Sequence, residues 1–303
     1  MQKVERQKKP LPAAGVIKAL ALDLDGTTLR PDAVLSAPVA GALRACIDRG
    51  IGVIFCTGRS VGATEPYRKA IGGRGPMAYF NGAVVTDPDE GRPVNVTLLD
   101  RGIAAGCVDL ARSRGVYFQV YLSGSAPDSR SRELLMAERE RPETEFYRKR
   151  TGVSPVFGDI RVALASLPER APEAPGENQA ASGCIKGLFI AEPPVLEEIQ
   201  RVLEESYAGS IYLARSHATF LEVMAAGVSK GRGLRLALEH RGLDPAGVIA
   251  FGDEENDLPM FSAAGYSAAP ANAKERIRGA ADFVIPSNAE DGVAVFLTEL
   301  FVL

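Results

Sequence analysis

The feature that most constrains this chain is a repeated grammar in its outer thirds. A short apolar run ends in a polar motif, and a helical pattern follows. From Val16 to about Val85, "VIKALAL" runs into "DLDGTT", "IGVIFC" into "TGRS", and "MAYF" into "NGA". Ser36–Arg49 carries Val39, Leu43, Cys46 and Ile47 on one helical face, and Gly50 supplies a stop. The alternation returns after Gly227: a helix over about Lys230–Arg241 ending at Gly242, a buried strand in "GVIAF", a short helix in "NDLPMFSAAG" and a last strand in "ADFVI". This pattern predicts an α/β fold, a Rossmann-like doubly wound parallel sheet with helices on both faces.

Between the two stretches lies an insert of about 140 residues, the size of a domain. Strands are expected at "VNVTLL", "VYFQVYL", "IRVALASL" and "IKGLFIAE", with a hairpin in "IYLARS" and "ATFLEVMA". Helices are expected near Gly102–Arg114 and Glu192–Tyr207, so the insert reads as an α+β cap. Pro168–Ser182, rich in Pro, Ala and Glu, reads as an exposed excursion. The expected division is a disordered leader over 1–15, a core over 16–84 and 227–303, and a cap over 85–226. A length of 303 residues suits two domains.

The composition, 46% hydrophobic and 24% charged, is that of a water-soluble globular chain, and its net charge of -3 argues against a nucleic-acid partner. No apolar run approaches the ~18 residues of a membrane span. The opening "MQKVERQKKPLPAAG" lacks the apolar middle of a secretory signal. Cys46, Cys56, Cys107 and Cys184 are scattered, which fits a cytoplasmic location and neither a disulfide framework nor a zinc site. His217 and His240 are the only histidines, which argues against a histidine-centred triad. "GVSKGRG" has the wrong spacing for a P-loop, and Arg59 follows Cys56 too closely for a cysteine-based phosphate loop, so Cys56 reads as packing.

The polar motifs fall where an open α/β sheet binds ligands, outside the carboxyl ends of its strands. Asp23 and Asp25, Thr57-Gly58-Arg59, Asn81 and Gly252-Asp253 all occupy such positions. Asp23, Asp25 and Asp253 buried together would repel one another without a cation, and hard oxygen ligands suit Mg²⁺. Thr57 offers a hydroxyl, Gly58 lets the backbone approach an anion, and Lys230 adds a positive charge at a helix start. Together these suit a phosphoryl group. One carboxylate would take it as an acyl phosphate, while the other protonates the leaving oxygen and then activates water. Thr27 and Thr28 are expected to settle the turn at Gly26 by hydrogen bonding.

Each residue has a plainer reading. Asp23 and Asp25 would serve a turn and helix cap, Thr57 a helix cap, and Lys230 a solvated helix face. Glu254 and Glu255 read as first-turn acids. Arg59 reads as a salt-bridged scaffold in preference to a substrate contact. Asn81 reads as a turn residue and Asn272 as a loop residue. His217 and Arg215, near the tip of the cap hairpin, are surface residues that are also candidates for substrate contact.

"DLDGTTL", "CTGR", the lysine of "GVSKG" and "GDEENDLPM" resemble, in order, the four motifs of the haloacid dehalogenase-like (HAD) superfamily of phosphatases. "NGA", the insert between the second and third motifs, and "FLEVMAAGVSKG" resemble the Cof-like subfamily with its α/β (type IIB) cap. The likeness covers about residues 16 to 300. It implies that Asp23 is the nucleophile and a Mg²⁺ ligand, and that Asp25 is the general acid/base with its backbone carbonyl on the metal. Thr57 and the Gly58 amide would hold phosphoryl oxygens, Lys230 would neutralise them, and Asn256 would reach the phosphate. Asp253 would complete the metal ligands, and Asp257 would support Lys230 or the metal shell.

The expectation is a Mg²⁺-dependent phosphatase acting on a small phosphorylated metabolite, a sugar phosphate or relative, without nucleic-acid or membrane partners. A phosphomutase on the same fold, marked by isomerised product, is one alternative. A phospho-aspartate sensor, marked by a long-lived phosphoprotein, is the other.

Overall fold

Every residue of Ala19–Leu22 and of Val248–Phe251 is buried, as strands covered on both faces require. The computed structural model describes residues 5–6, 8–90, 92–123, 133–167 and 182–302. The chain divides into two compact units, one of residues 1–60, 64–95 and 229–303, the other of residues 61–63 and 96–228.

The first unit is built on a six-stranded sheet in the order Glu5–Arg6, Phe283–Ile285, Tyr266–Pro270, Val248–Phe251, Ala19–Leu22, Gly52–Phe55. The last five strands pair in parallel. Their crossover helices include Ala37–Asp48, where the Ser36 hydroxyl accepts from the Val39 N–H and Val39, Leu43 and Cys46 are buried. Ile54, Ala250 and Ala269 of the sheet join Leu234 and Leu238 of the Lys230–Arg241 helix in one core. That helix begins at a Ser229 cap and stops at left-handed Gly242, as its sequence predicts. A small sheet of Met77–Tyr79, Val84–Asp87 and Arg92–Val96 keeps the chain in the first unit as far as Asn95.

Of the expected leader, residues 5–6 and 8–15 are described. Glu5–Arg6 adds an antiparallel edge strand against Phe283 and Val284. The Lys8 ammonium donates to the Ala280 carbonyl at 2.8 Å and that of Lys9 to Gly265 at 2.6 Å. A parallel sheet that ended at Phe283–Ile285 would leave a row of backbone groups unpaired, and the leader covers part of it.

The second unit is a mixed sheet in the order Ile211–His217, Phe220–Ala225, Gly183–Ile190, Tyr117–Ser123, Glu133–Ala137, Val156–Phe157. Arg101–Arg114 and Pro193–Tyr207 pack on it through Val108, Leu196 and Leu203 against Phe118 and Phe189. The expected hairpin forms, with Ala214 opposite Glu222. "IRVALASL" is a helix, Ile160–Ser166, and not the strand its apolar run suggests. Asp159 caps it by accepting from the Val162 N–H, Ile160 and Leu164 are buried at helical spacing, and Val162 is 64% exposed. Of the excursion expected at Pro168–Ser182, all but Ser182 lies outside the described residues. Among the described residues no helix is long and apolar enough to cross a membrane.

Candidate active site

Parallel pairing sets Leu22 opposite Phe251, so the aspartates that follow these strands arrive side by side. The Asp23 N–H donates to the Phe251 carbonyl at 2.9 Å. The chain then turns over Leu24–Thr28, where the Thr28 hydroxyl donates to the Asp23 carbonyl, the local bond expected of it. The Thr27 hydroxyl instead donates across the sheet to Asp253 Oδ1 at 2.7 Å. Gly26 sits at φ +79°, and a Cβ there would stand 2.2 Å from Asp253 Oδ2. No other residue fits this turn so close to the second aspartate.

Lys230, the first residue of its helix, reaches Asp23 Oδ1 at 2.6 Å and Asp257 Oδ1 at 2.7 Å. The second Asp257 oxygen accepts from the Asp253 and Glu254 N–H groups at 2.9 and 3.0 Å. One carboxylate thus holds both the lysine and the loop that carries Asp253. Carboxylate oxygens of Asp23, Asp253 and Asp257 gather within 4.8 Å of one another.

The charges do not balance. Burial pushes Asp23 well above the usual carboxylate range; Lys230 opposes the shift, and Asp257 and Asp253 add to it. Burial, then Asp257, pushes Asp253 up to about 7 against the Thr27 hydrogen bond and Lys230. Burial works against the Lys230 ammonium, but Asp23 and Asp257 outweigh it and hold its pKa above the usual lysine range. Three ionised carboxylates facing one ammonium leave two negative charges in excess.

Asp25 stands apart from this cluster. Its carboxylate is held by the Arg59 guanidinium through two bonds of 2.7 Å, Nε to Oδ2 and Nη2 to Oδ1. Arg59 is therefore a salt-bridged residue, and its partner is the aspartate read as acid/base. Thr57 is buried, and its hydroxyl oxygen accepts from the Arg59 N–H at 3.1 Å, which leaves its hydrogen free to donate elsewhere. Asn256 donates through Nδ2 to Asn81 Oδ1 at 3.0 Å. Burial pushes the Cys56 thiol up to about 12, in keeping with packing. His217 and Arg215 lie in the second unit, with His217 beside Phe146 and Phe220.

Two residues read as turn and loop make contacts that their plainer readings did not include. Asn272 donates to the Gly26 carbonyl at 2.8 Å and accepts from the Asn288 N–H, tying the turn to a distant loop. Asn81 is wholly buried at left-handed φ +54°, next to Gly58. For Asn272 the only local signal is an asparagine beside small residues, which any turn shares, whereas Asn81 also stands in a polar motif at a strand end.

Residues 20–297 match the haloacid dehalogenase-like hydrolase family. This chain is a haloacid dehalogenase-like hydrolase. The hydrolase is 28% identical over 293 residues to the 5-amino-6-(5-phospho-D-ribitylamino)uracil phosphatase YwtE of Bacillus subtilis (strain 168), covering 94% of this chain and 98% of that one. It is 27% identical over 279 residues to a phosphoglycolate phosphatase of Methanopyrus kandleri, covering 92% and 94%. A haloacid dehalogenase-like hydrolase from Bacteroides thetaiotaomicron shares its fold with a TM-score of 0.80 at 22% identity, covering 94% of this chain and all of that one. The hydrolase is thus an enzyme of the phosphatase type, of Cof-like kind.

Proposed function

We propose that the hydrolase is a Mg²⁺-dependent phosphatase that cleaves small phosphate monoesters through an aspartyl-phosphate on Asp23. The observation that carries this reading is the Lys230 ammonium buried between Asp23 and Asp257 beside Asp253. Such a site has a nucleophile, a fixed positive charge and an excess of carboxylate oxygen. The donor set fits a hard divalent cation, because it offers oxygen alone and two uncompensated negative charges. Asp23, Asp253 and the Asp25 backbone carbonyl would hold Mg²⁺, which would supply positive charge for the phosphoryl oxygens.

In this reading an Asp23 oxygen attacks phosphorus, the phosphorus–alkoxide bond breaks, and Asp25 gives its proton to the departing oxygen. Asp25 then takes a proton from water, which attacks the acyl phosphate and frees Asp23 and inorganic phosphate. Asp25 must exchange Arg59 for the leaving oxygen in the first step. The Thr57 hydroxyl and Gly58 amide would bind phosphoryl oxygens, with Lys230 neutralising them and Asn256 reaching the same group. Asp257 would keep Lys230 in place. The unit of residues 96–228 would act as the lid that limits substrates to small molecules.

The named relatives point to substrates such as a phosphoribitylamino pyrimidine or phosphoglycolate, beside the sugar phosphate expected from the sequence. Purified protein assayed for free phosphate on a panel of these tests the reading. Release that stops with a chelator and returns with Mg²⁺ is expected. Isomerised sugar phosphate without free phosphate would instead establish the phosphomutase, and chelator-insensitive release would remove the metal.

A further inference from the structure

Phe80, Asn81 and Gly82 lie in succession at positive φ, +49°, +54° and +90°. For a phenylalanine this conformation is an outlier that persists only where the surroundings over-determine it. Three segments of the site do so here.

The first is the loop after the second core strand. The Phe80 N–H donates to the Arg59 carbonyl at 3.0 Å and the Asn81 N–H to the Thr57 carbonyl at 2.8 Å. The second is the start of the helix that carries Lys230. A Cβ on Gly82 would stand 2.3 Å from the Ser229 carbonyl oxygen and 3.0 Å from the Gly233 nitrogen, so turn and helix meet backbone to backbone. The third is reached by the side chain. Asn81 Oδ1 accepts from Asn256 Nδ2 at 3.0 Å, while Asn256 Oδ1 is buried with no partner among the described residues. The same Asn81 amide covers Gly58, where a Cβ would come within 3.3 Å of Oδ1.

A glycine would adopt φ +54° with less strain than asparagine. A wholly buried amide kept at that position therefore has work for its side chain. We propose that Asn81 is a positioning residue, whose side chain orients Asn256 and whose strained turn sets the Thr57–Gly58 loop against Lys230. The inference rests on the phosphoryl-binding reading of the site. Asn81 acts through Asn256 and the loop, not by chemistry of its own.

A double-mutant cycle on the full chain tests it. Asn81→Gly keeps the backbone conformation and deletes the amide, Asn256→Ala deletes its partner, and the third variant carries both. The readouts are kcat and KM on an aryl phosphate with Mg²⁺, the inhibition constant of inorganic phosphate, and the melting temperature. Asn81→Gly is expected to lower kcat/KM by about 10- to 100-fold, with the loss mainly in kcat. The double variant should fall within about threefold of Asn256→Ala alone, because one pathway has been cut twice. Losses that multiply, or Asn81→Gly within about twofold of the parent, would overturn the proposal.

If Asn81→Gly does not fold, Asn81→Asp keeps the acceptor for Asn256 and tolerates the backbone but sets a negative charge beside Gly58. It should then weaken inhibition by phosphate about tenfold or more, and an unchanged constant overturns the proposal. A parent protein that turns over no phosphate ester would defeat the proposed reaction. The coupling between Asn81 and Asn256 is then read from calorimetric binding of inorganic phosphate to the same variants, where additive effects overturn it.

Discussion

Lys230 and Asp23 meet at 2.6 Å with both side chains almost out of reach of water. An ammonium and a carboxylate so buried depend on each other, and Asp257 joins the pair at 2.7 Å. Lys230→Met keeps the apolar stem and removes the charge. It should abolish turnover and lower folding stability by about 3–5 kcal/mol in chelator, because three carboxylates are left without a cation. Denaturant titration measures this, and unchanged stability would show that the lysine is not the counter-charge.

In the proposed reading, metal binding at the carboxylate cluster depends on pH. Asp253 is pushed up to about 7 in the folded chain, from 3.8 for a free side chain. Between these values the folded state binds the extra proton, so metal-free stability from this group is fully present below pH 4 or so and falls as pH rises to about 7. Asp23 is raised in the same direction. Mg²⁺ held there would relieve the ionised form, so the gain in melting temperature on adding Mg²⁺ should be larger at pH 8 than at pH 6. An equal gain at both would separate these aspartates from the metal.

Gly26→Ala puts a methyl group where the structure leaves 2.2 Å to Asp253 Oδ2, at a φ of +79° that side chains rarely adopt. The Asp253 carboxylate, which also accepts from Thr27, is the group that has to shift. A stability loss of about 1–3 kcal/mol and a far larger loss of Mg²⁺-dependent activity are expected. Activity that merely tracks stability would count against Asp253 at the metal.

Asp25→Asn removes the proposed proton carrier and the Arg59 ion pair together. The proton matters most when the leaving alkoxide is basic. Turnover of an alkyl phosphate should fall by about 10²- to 10⁴-fold, and that of p-nitrophenyl phosphate by much less in the phosphoryl-transfer step. Equal losses would leave Asp25 with only a structural part beside Arg59.

How much of this was legible in the sequence follows from the range of each interaction. The Lys230–Arg241 helix announces itself through Ser229 and Gly242, and the parallel core through apolar runs that end in polar motifs. "IRVALASL" misleads because an apolar run at the end of a strand-rich stretch reads as another strand, and the Asp159 cap that decides for a helix is a single residue. Thr27 and Asp253 are 226 residues apart, and Asn272 and Gly26 are 246 apart. Nothing local to either partner marks those bonds. Asp25 and Arg59 were each visible as charged residues at strand ends, but the sequence does not state that they choose each other. Asn81 was visible as a polar residue at a strand end and as a turn, but the strain that distinguishes it is a property of its surroundings.

The most direct test of the account is chemical trapping of the acyl phosphate. Acid quenching during turnover, borohydride reduction and peptide mass spectrometry should find the residue at position 23 reduced to homoserine in the parent protein, and the Asp23→Asn variant should lose turnover by at least about 10³-fold. Asp23→Asn that folds and keeps turning over phosphate esters, with position 23 never reduced in the parent protein, would contradict it.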